Sequence, residues 1–178
     1  MTPGVTPGVA AQPLVVLIGP PGAGKTVVGE LLSERLGAAF ADTDADVAAV
    51  AGKPVRDIFT DDGEAAFREL ERAAAQRALA TPGAVVALGS GAVLDPGVQQ
   101  LLAGQAVVYL EASFPAIARR LGLDRPRVVI PGNPRGRLRS MLEERRPVYE
   151  RLASFTVPAD HLAPEEIADD IATWLGKR

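Results

Sequence analysis

Between Leu14 and Leu36 the chain passes from an uninterrupted apolar run, Leu14-Val15-Val16-Leu17-Ile18, through the octapeptide Gly19-Pro20-Pro21-Gly22-Ala23-Gly24-Lys25-Thr26. It then enters a segment whose apolar residues Val28, Leu31, Leu32 and Leu36 recur at helical spacing. A strand, a G-x-x-x-x-G-K-[ST] turn and a helix in that order leave few folds open. The apolar run suits a strand buried on both faces of a parallel sheet. The glycines let the backbone curl until several N–H groups converge on one point, and the next helix turns its positive dipole end toward that point. An anion such as phosphate belongs there. Lys25 adds a point charge, and Thr26 offers a hydroxyl to magnesium, a hard cation that prefers oxygen ligands. Gly22, Ala23, Gly24, Lys25, Thr26 and Val27 are therefore expected to hold ATP, with Mg2+ at Thr26. A turn without a ligand would have the same glycines but no reason for its lysine, in a chain with three lysines against sixteen arginines.

From Leu14 onward strand-like runs alternate with helical patterns, the signature of a parallel sheet covered on both faces. Strands are expected at 14–18, 39–42, 84–88, 106–110 and 154–157. Helices are expected at 25–36, 44–51, 63–80, 95–102, 114–121, 134–150 and 164–176. Pro164, Glu165 and Glu166 open the last helix, whose Ile167, Ile171, Trp174 and Leu175 share one face, so Trp174 is read as core. The first thirteen residues repeat Thr-Pro-Gly-Val and have no periodic apolar face. They are read as a disordered tail before a single domain, 14–178. With 47% hydrophobic residues, no cysteine and one histidine, the 178-residue chain fits a globular protein without disulfides or a histidine-rich metal site. No apolar stretch approaches the roughly 20 residues of a membrane helix, and no signal peptide is recognisable, so a cytoplasmic protein without a membrane partner is expected.

The net charge of −3 argues against nucleic acid as a partner. Ten of the sixteen arginines nevertheless lie between Arg119 and Arg151, a local cluster better suited to a small polyanion. Periodicity fails from 123 to 137, a loop of the length usually given to a functional lid. Flexible arginines there, Arg127 among them, would neutralise a transferring phosphoryl group. Asp42-Thr43-Asp44 closes the second strand at the edge where ligands of open α/β sheets bind. Residues two apart on an extended segment face the same way, so one carboxylate could support hydrated magnesium while the other takes a proton from a substrate hydroxyl. An Asx turn or helix N-cap accounts for the same residues, and both readings stay open. Glu64, Arg68 and Glu71 share a helix face. Periodicity alone favours a solvated ion-pair ladder over an Arg68 fork held by Glu71 and aimed at a substrate carboxylate. Gly89-Ser90-Gly91 brings backbone close to whatever lies over the sheet edge.

Taken together, these segments resemble the shikimate kinase family, small P-loop kinases of the nucleoside-monophosphate-kinase fold. The resemblance runs from Leu14 to the last helix. It rests on the octapeptide, Asp42-Thr43-Asp44, Asp57-Ile58-Phe59, Phe67-Arg68 with Glu71, Gly89-Ser90-Gly91, and Arg145-Arg146-Pro147-Val148-Tyr149. It implies a three-layer α/β/α domain with a five-stranded parallel sheet, a substrate-binding region over 44–80 and a mobile lid over 123–137. It also implies ATP-dependent phosphorylation of the 3-hydroxyl of shikimate by a monomer, with ATP and Mg2+. By the same resemblance Asp44, Arg68, Gly91 and Arg145 would bind shikimate beside Gly89 and Ser90, with Phe59 and Phe67 walling the pocket. Lys25, Asp44 and Arg127 would be catalytic, Asp42 would reach the magnesium through water, and Arg120 would lie near the adenine. The chain departs from the family at Ser90, where a glycine is usual, and at Val128, which follows Arg127 where a proline is usual. The pair Arg125-Pro126 falls two residues early. A kinase of another hydroxy acid, such as gluconate, and an ATP-binding protein without turnover are the alternatives.

Overall fold

The structure, a computed structural model, describes residues 12–124 and 132–178. The tail at 1–11 and the lid residues Arg125, Arg127 and Val128 lie outside the described residues. Five short strands form one sheet: β1 (Val15–Ile18), β2 (Phe40–Asp42), β3 (Val85–Ala87), β4 (Val107–Glu111) and β5 (Phe155–Pro158). All pairings are parallel, in the order β2-β3-β1-β4-β5. Among the described residues eight α-helices cover the sheet: α1 (Lys25–Leu36), α2 (Thr43–Ala51), α3 (Val55–Asp61), α4 (Gly63–Leu79), α5 (Pro96–Leu102), α6 (Phe114–Arg120), α7 (Pro134–Leu152) and α8 (Pro164–Leu175). A 3-10 turn spans Ala92–Leu94.

The layers follow from the period of two along β1, whose four residues are all fully buried. Val15 and Leu17 face Val28 and Leu32 of α1 and Ile167 and Ile171 of α8. Val16 and Ile18 face Leu79 of α4, Val98 and Leu102 of α5, and Tyr149 of α7. Each such side chain contributes about 1.5–3 kcal/mol by leaving water. A smaller cluster, Val47, Ile58, Phe67 and Ala74, binds α2, α3 and α4 to one another. It gives the 44–80 region a core of its own.

Every expected strand is present, as is every expected helix, within one or two residues at most ends. Four differences have physical causes. Helix α3 was not legible from periodicity because only Ile58 of its seven residues is buried. Helix α7 runs through Pro147 to Leu152, past the expected end at 150. Tyr149 holds that last stretch, fully buried with its ring 5.2 Å from Tyr109. Residues 134–137 of the expected lid belong to the first turn of α7, capped by the Asn133 side chain. Gln12 and Pro13, grouped with the tail in sequence, join the folded body: Gly83 donates its N–H to Gln12 O, and Pro13 is buried. Among the described residues no helix is long and apolar enough to cross a membrane.

Candidate active site

The chain leaves β1 toward β2, returns to β3 beside β1, and then crosses to β4 on the other side, so the crevice outside the carboxyl ends of β1 and β3 is the topological switch point. A cleft of about 300 Å³ opens there, walled by Lys25, Thr26, Asp42, Asp44 and Ser90. Gly24 adopts φ 96° where the loop turns into α1, a backbone conformation open to glycine and strained for other residues. Its carbonyl accepts the N–H of Val28, and the helix begins at Lys25. The Lys25 ammonium donates to Gly19 O at 2.9 Å and Pro20 O at 3.0 Å. Withdrawal from water holds its pKa down to about 8, against the pull of Asp44 and Asp42 and with a push from Arg145. Ala23 is buried in the core beneath the loop, and Val27 is exposed on the first turn of α1.

Asp42 settles half of the question left open by its sequence position, since it is the N-cap of α2. Its Oδ1 caps α2 by accepting the N–H groups of Asp44 at 2.9 Å and Ala45 at 3.3 Å. Its Oδ2 accepts from the Thr26 hydroxyl at 2.6 Å. Thr26 and Asp42 thus bring two hard oxygen donors together. Among the described residues no cluster of three or more His, Cys, Asp or Glu could hold a metal by itself. That set fits magnesium, which takes few protein ligands and completes its shell with water and phosphate oxygens. Asp44 keeps solvent contact through the cleft mouth, but protein atoms on its other sides weaken its hydration and push its carboxyl above the ordinary range. The Lys25 charge opposes that rise and Asp42 adds to it. A carboxylate of raised basicity beside a lysine can take a proton from an alcohol.

Against Gly91 of the turn after β3, Arg68 of α4 extends Nη1 to Glu71 Oε2 at 2.6 Å and Nη2 to Glu64 Oε1 at 3.4 Å. The ladder suggested by periodicity therefore exists, but its two rungs differ. Glu64 is exposed, whereas Glu71 is buried, and that burial raises its pKa against the pull of Arg68. The tight pair orients the guanidinium, and the looser contact leaves part of the fork free for another carboxylate. Gly89 lies where a Cβ would stand 2.7 Å from Asp44 Oδ1 and 3.2 Å from Glu71 Oε1, so a side chain there would displace the Asp44 carboxylate. A Cβ at Gly91 would collide with Arg68 Nη1. Ser90 points its hydroxyl at Arg145, whose Nη1 donates to Oγ at 3.3 Å. Phe59 and Phe67 pack with ring planes tilted by 33° and centroids 4.2 Å apart, Phe67 buried and Phe59 partly exposed, and the Arg68 guanidinium lies 5.3 Å from the Phe67 ring.

Arg120 spans two segments, donating to Gly22 O at 3.0 Å and to Ala159 O just after β5. Two contributors escaped the sequence reading. Tyr149, named there only as the end of the Arg145–Tyr149 motif and given no role, donates its hydroxyl to Ser90 O at 2.7 Å and pins the glycine turn. Its spacing of four residues from Arg145 on one helix was the available signal. Thr43, fully buried between two aspartates, accepts the Gly89 N–H at 2.7 Å.

A phosphate loop at the switch point, a hydroxyl and carboxylate set fit for magnesium, and an acceptor cleft with a basic fork define a phosphotransferase of the P-loop class. The family model for shikimate kinase matches residues 21–176. The chain is 52% identical over 166 residues to a shikimate kinase of Thermobifida fusca, covering 93% of this chain and 96% of that protein. It is 47% identical over 157 residues to one of Streptomyces coelicolor, covering 88% and 92%. A solved shikimate kinase from Acinetobacter baumannii in complex with shikimate superposes with a TM-score of 0.84 at 30% identity, covering 93% of each chain. The chain belongs to the shikimate kinase family.

Proposed function

We propose that this chain transfers the γ-phosphoryl group of ATP to the 3-hydroxyl of shikimate. The hydroxyl oxygen attacks the γ-phosphorus, the bond from that phosphorus to the bridging oxygen breaks, and ADP leaves. Asp44 accepts the hydroxyl proton. The phosphate loop, from Gly22 to Val27, holds the nucleotide, and Lys25 flanks the migrating group with Arg127. Thr26, and Asp42 through water, would hold Mg2+, which when bound draws charge from the phosphate oxygens. Arg68 and Arg145 bind the shikimate carboxylate between Gly89, Ser90 and Gly91, with Phe59 and Phe67 as the apolar wall. Arg120 borders the adenine. On this reading the enzyme works as a cytoplasmic monomer, all site residues coming from one chain, without nucleic acid or membrane as partners.

The observation that carries the reading is that Arg68, braced by buried Glu71, and Asp44 of the Lys25 cleft meet at one glycine turn, Glu71 and Asp44 against Gly89 and Arg68 against Gly91. Gluconate or a nucleoside would leave that cationic fork without a rigid carboxylate at ring distance from the hydroxyl. The test is ADP release from magnesium ATP with shikimate, quinate, dehydroshikimate, gluconate or no acceptor. Release that depends on shikimate is expected; stronger release with another acceptor would overturn the assignment.

Ser90 supplies a finer test. The Arg145–Ser90 bond is charge-assisted but long at 3.3 Å, which brings its contribution down to about 1 kcal/mol. Ser90→Gly is therefore expected to change the KM for shikimate by less than about fivefold, with kcat intact. A larger fall in KM would mean that the serine obstructs the acceptor.

A further inference from the structure

The β2–β3 ladder ends one step before the site, and a side chain continues it. Val85 N donates to Ala39 O at 2.8 Å, and the last residues in register are Asp42 and Ala87. The next ladder donor on β3 is Gly89 N, whose partner at the same offset of 46 residues is Thr43. Thr43, however, is the first residue of α2, and its carbonyl is committed to the helix. Its hydroxyl takes the carbonyl's place, accepting the Gly89 N–H at 2.7 Å in a fully buried position.

We infer that Thr43 is a positioning residue that locks the glycine turn against the start of α2 and so sets Asp44 relative to the Arg68–Glu71 pair. The contact lies where the two halves of the acceptor site touch. Around Gly89 Cα converge Asp44 Oδ1, Glu71 Oε1 and Thr43 Oγ1, close enough that a Cβ would stand 2.7, 3.2 and 3.4 Å from them. Thr43 reaches no ligand itself. Without its hydroxyl the buried Gly89 N–H has no acceptor, and the turn must shift to find one. Tyr149 fixes the turn from α7 at the next residue, Ser90, so the shift is taken up on the Asp44 side.

The inference rests on the proposed phosphorylation of shikimate, and its test separates the two. Thr43→Val keeps the shape and removes the acceptor; Thr43→Ser keeps the acceptor and removes a methyl. Because small displacements of reacting groups are costly, Thr43→Val is expected to lower kcat about tenfold or more. The KM for ATP should stay within about twofold, and Thr43→Ser should recover most of the turnover. Amide exchange of the 87–91 segment should rise in Thr43→Val and not in Thr43→Ser. Thr43→Ala, which also removes the hydroxyl, serves if the valine variant does not fold. Unchanged kcat in the valine or alanine variant, a serine variant as slow as the valine one, or losses that track KM for ATP and Tm alike would each overturn the inference. A wild-type chain without shikimate turnover would sink the proposed function, leaving the exchange measurement to judge the Thr43 contact.

Discussion

Asp44→Asn is expected to lower kcat for shikimate by about 10²-fold or more, the usual range for a general base, while ATP binding measured by calorimetry stays near the wild-type value. Asparagine keeps the shape and the backbone N–H that Asp42 caps, so the loss reports the missing proton acceptor rather than a displaced helix. The pH profile gives a second reading. Lost hydration raises the Asp44 pKa despite Lys25, so the acid limb of kcat should lie above the range of an ordinary aspartate, with activity falling as pH drops through it. The sign for stability runs the other way. A carboxyl whose folded pKa is raised favours the fold while protonated, and that contribution is lost as pH rises through the folded pKa. Asn resembles the protonated form, so at pH 7 the variant should have a Tm no lower than the wild type. A variant with normal turnover would remove Asp44 from the proton path; one with a much lower Tm would show its charge to be structural.

Arg68→Leu should raise the KM for shikimate by about 10²-fold, with a smaller change in kcat and none in KM for ATP. Charge-assisted hydrogen bonds contribute about 1.5–3 kcal/mol each, and a fork makes two. Arg68→Lys keeps the charge but not the planar geometry and should recover only part of the loss. Glu71 explains why the arginine can be rigid. Its carboxylate is buried and pairs with Arg68 at 2.6 Å, so removing the arginine strands a buried acid whose pKa rises further. Should the leucine variant bind shikimate normally, the acceptor carboxylate must lie elsewhere, with Arg145 the remaining candidate.

The nucleotide side of this site is written locally: eight consecutive residues set the loop, and β1 and α1 flank it with a continuous apolar run and a legible period of 3.6. The acceptor side is assembled from α2, α4, the turn after β3 and α7, so its residue types are visible in sequence but their meeting is not. Arg68 is indistinguishable from a surface arginine until Glu71 is seen to be buried. Thr43 and Tyr149 were unreadable for a related reason, since each acts through a partner more than forty residues away. Asp42 was ambiguous because its two oxygens have different tasks.

That division of labour at Asp42 has a mechanical consequence. One short carboxylate joins the first turn of the phosphate-binding helix, the end of an edge strand and the first turn of the helix that carries Asp44. On the proposed function, the distance between the two substrates' anchoring points is thereby built into a single side chain and is not left to the meeting of separate lobes. The frame on this side has no slack, so an acceptor with a longer reach between its acid group and its hydroxyl must be accommodated at the opposite wall, where Phe59 is still partly open to water. On that reading, altering acceptor choice in this scaffold is a matter of reshaping α3 rather than loosening the Asp42 junction at the edge strand.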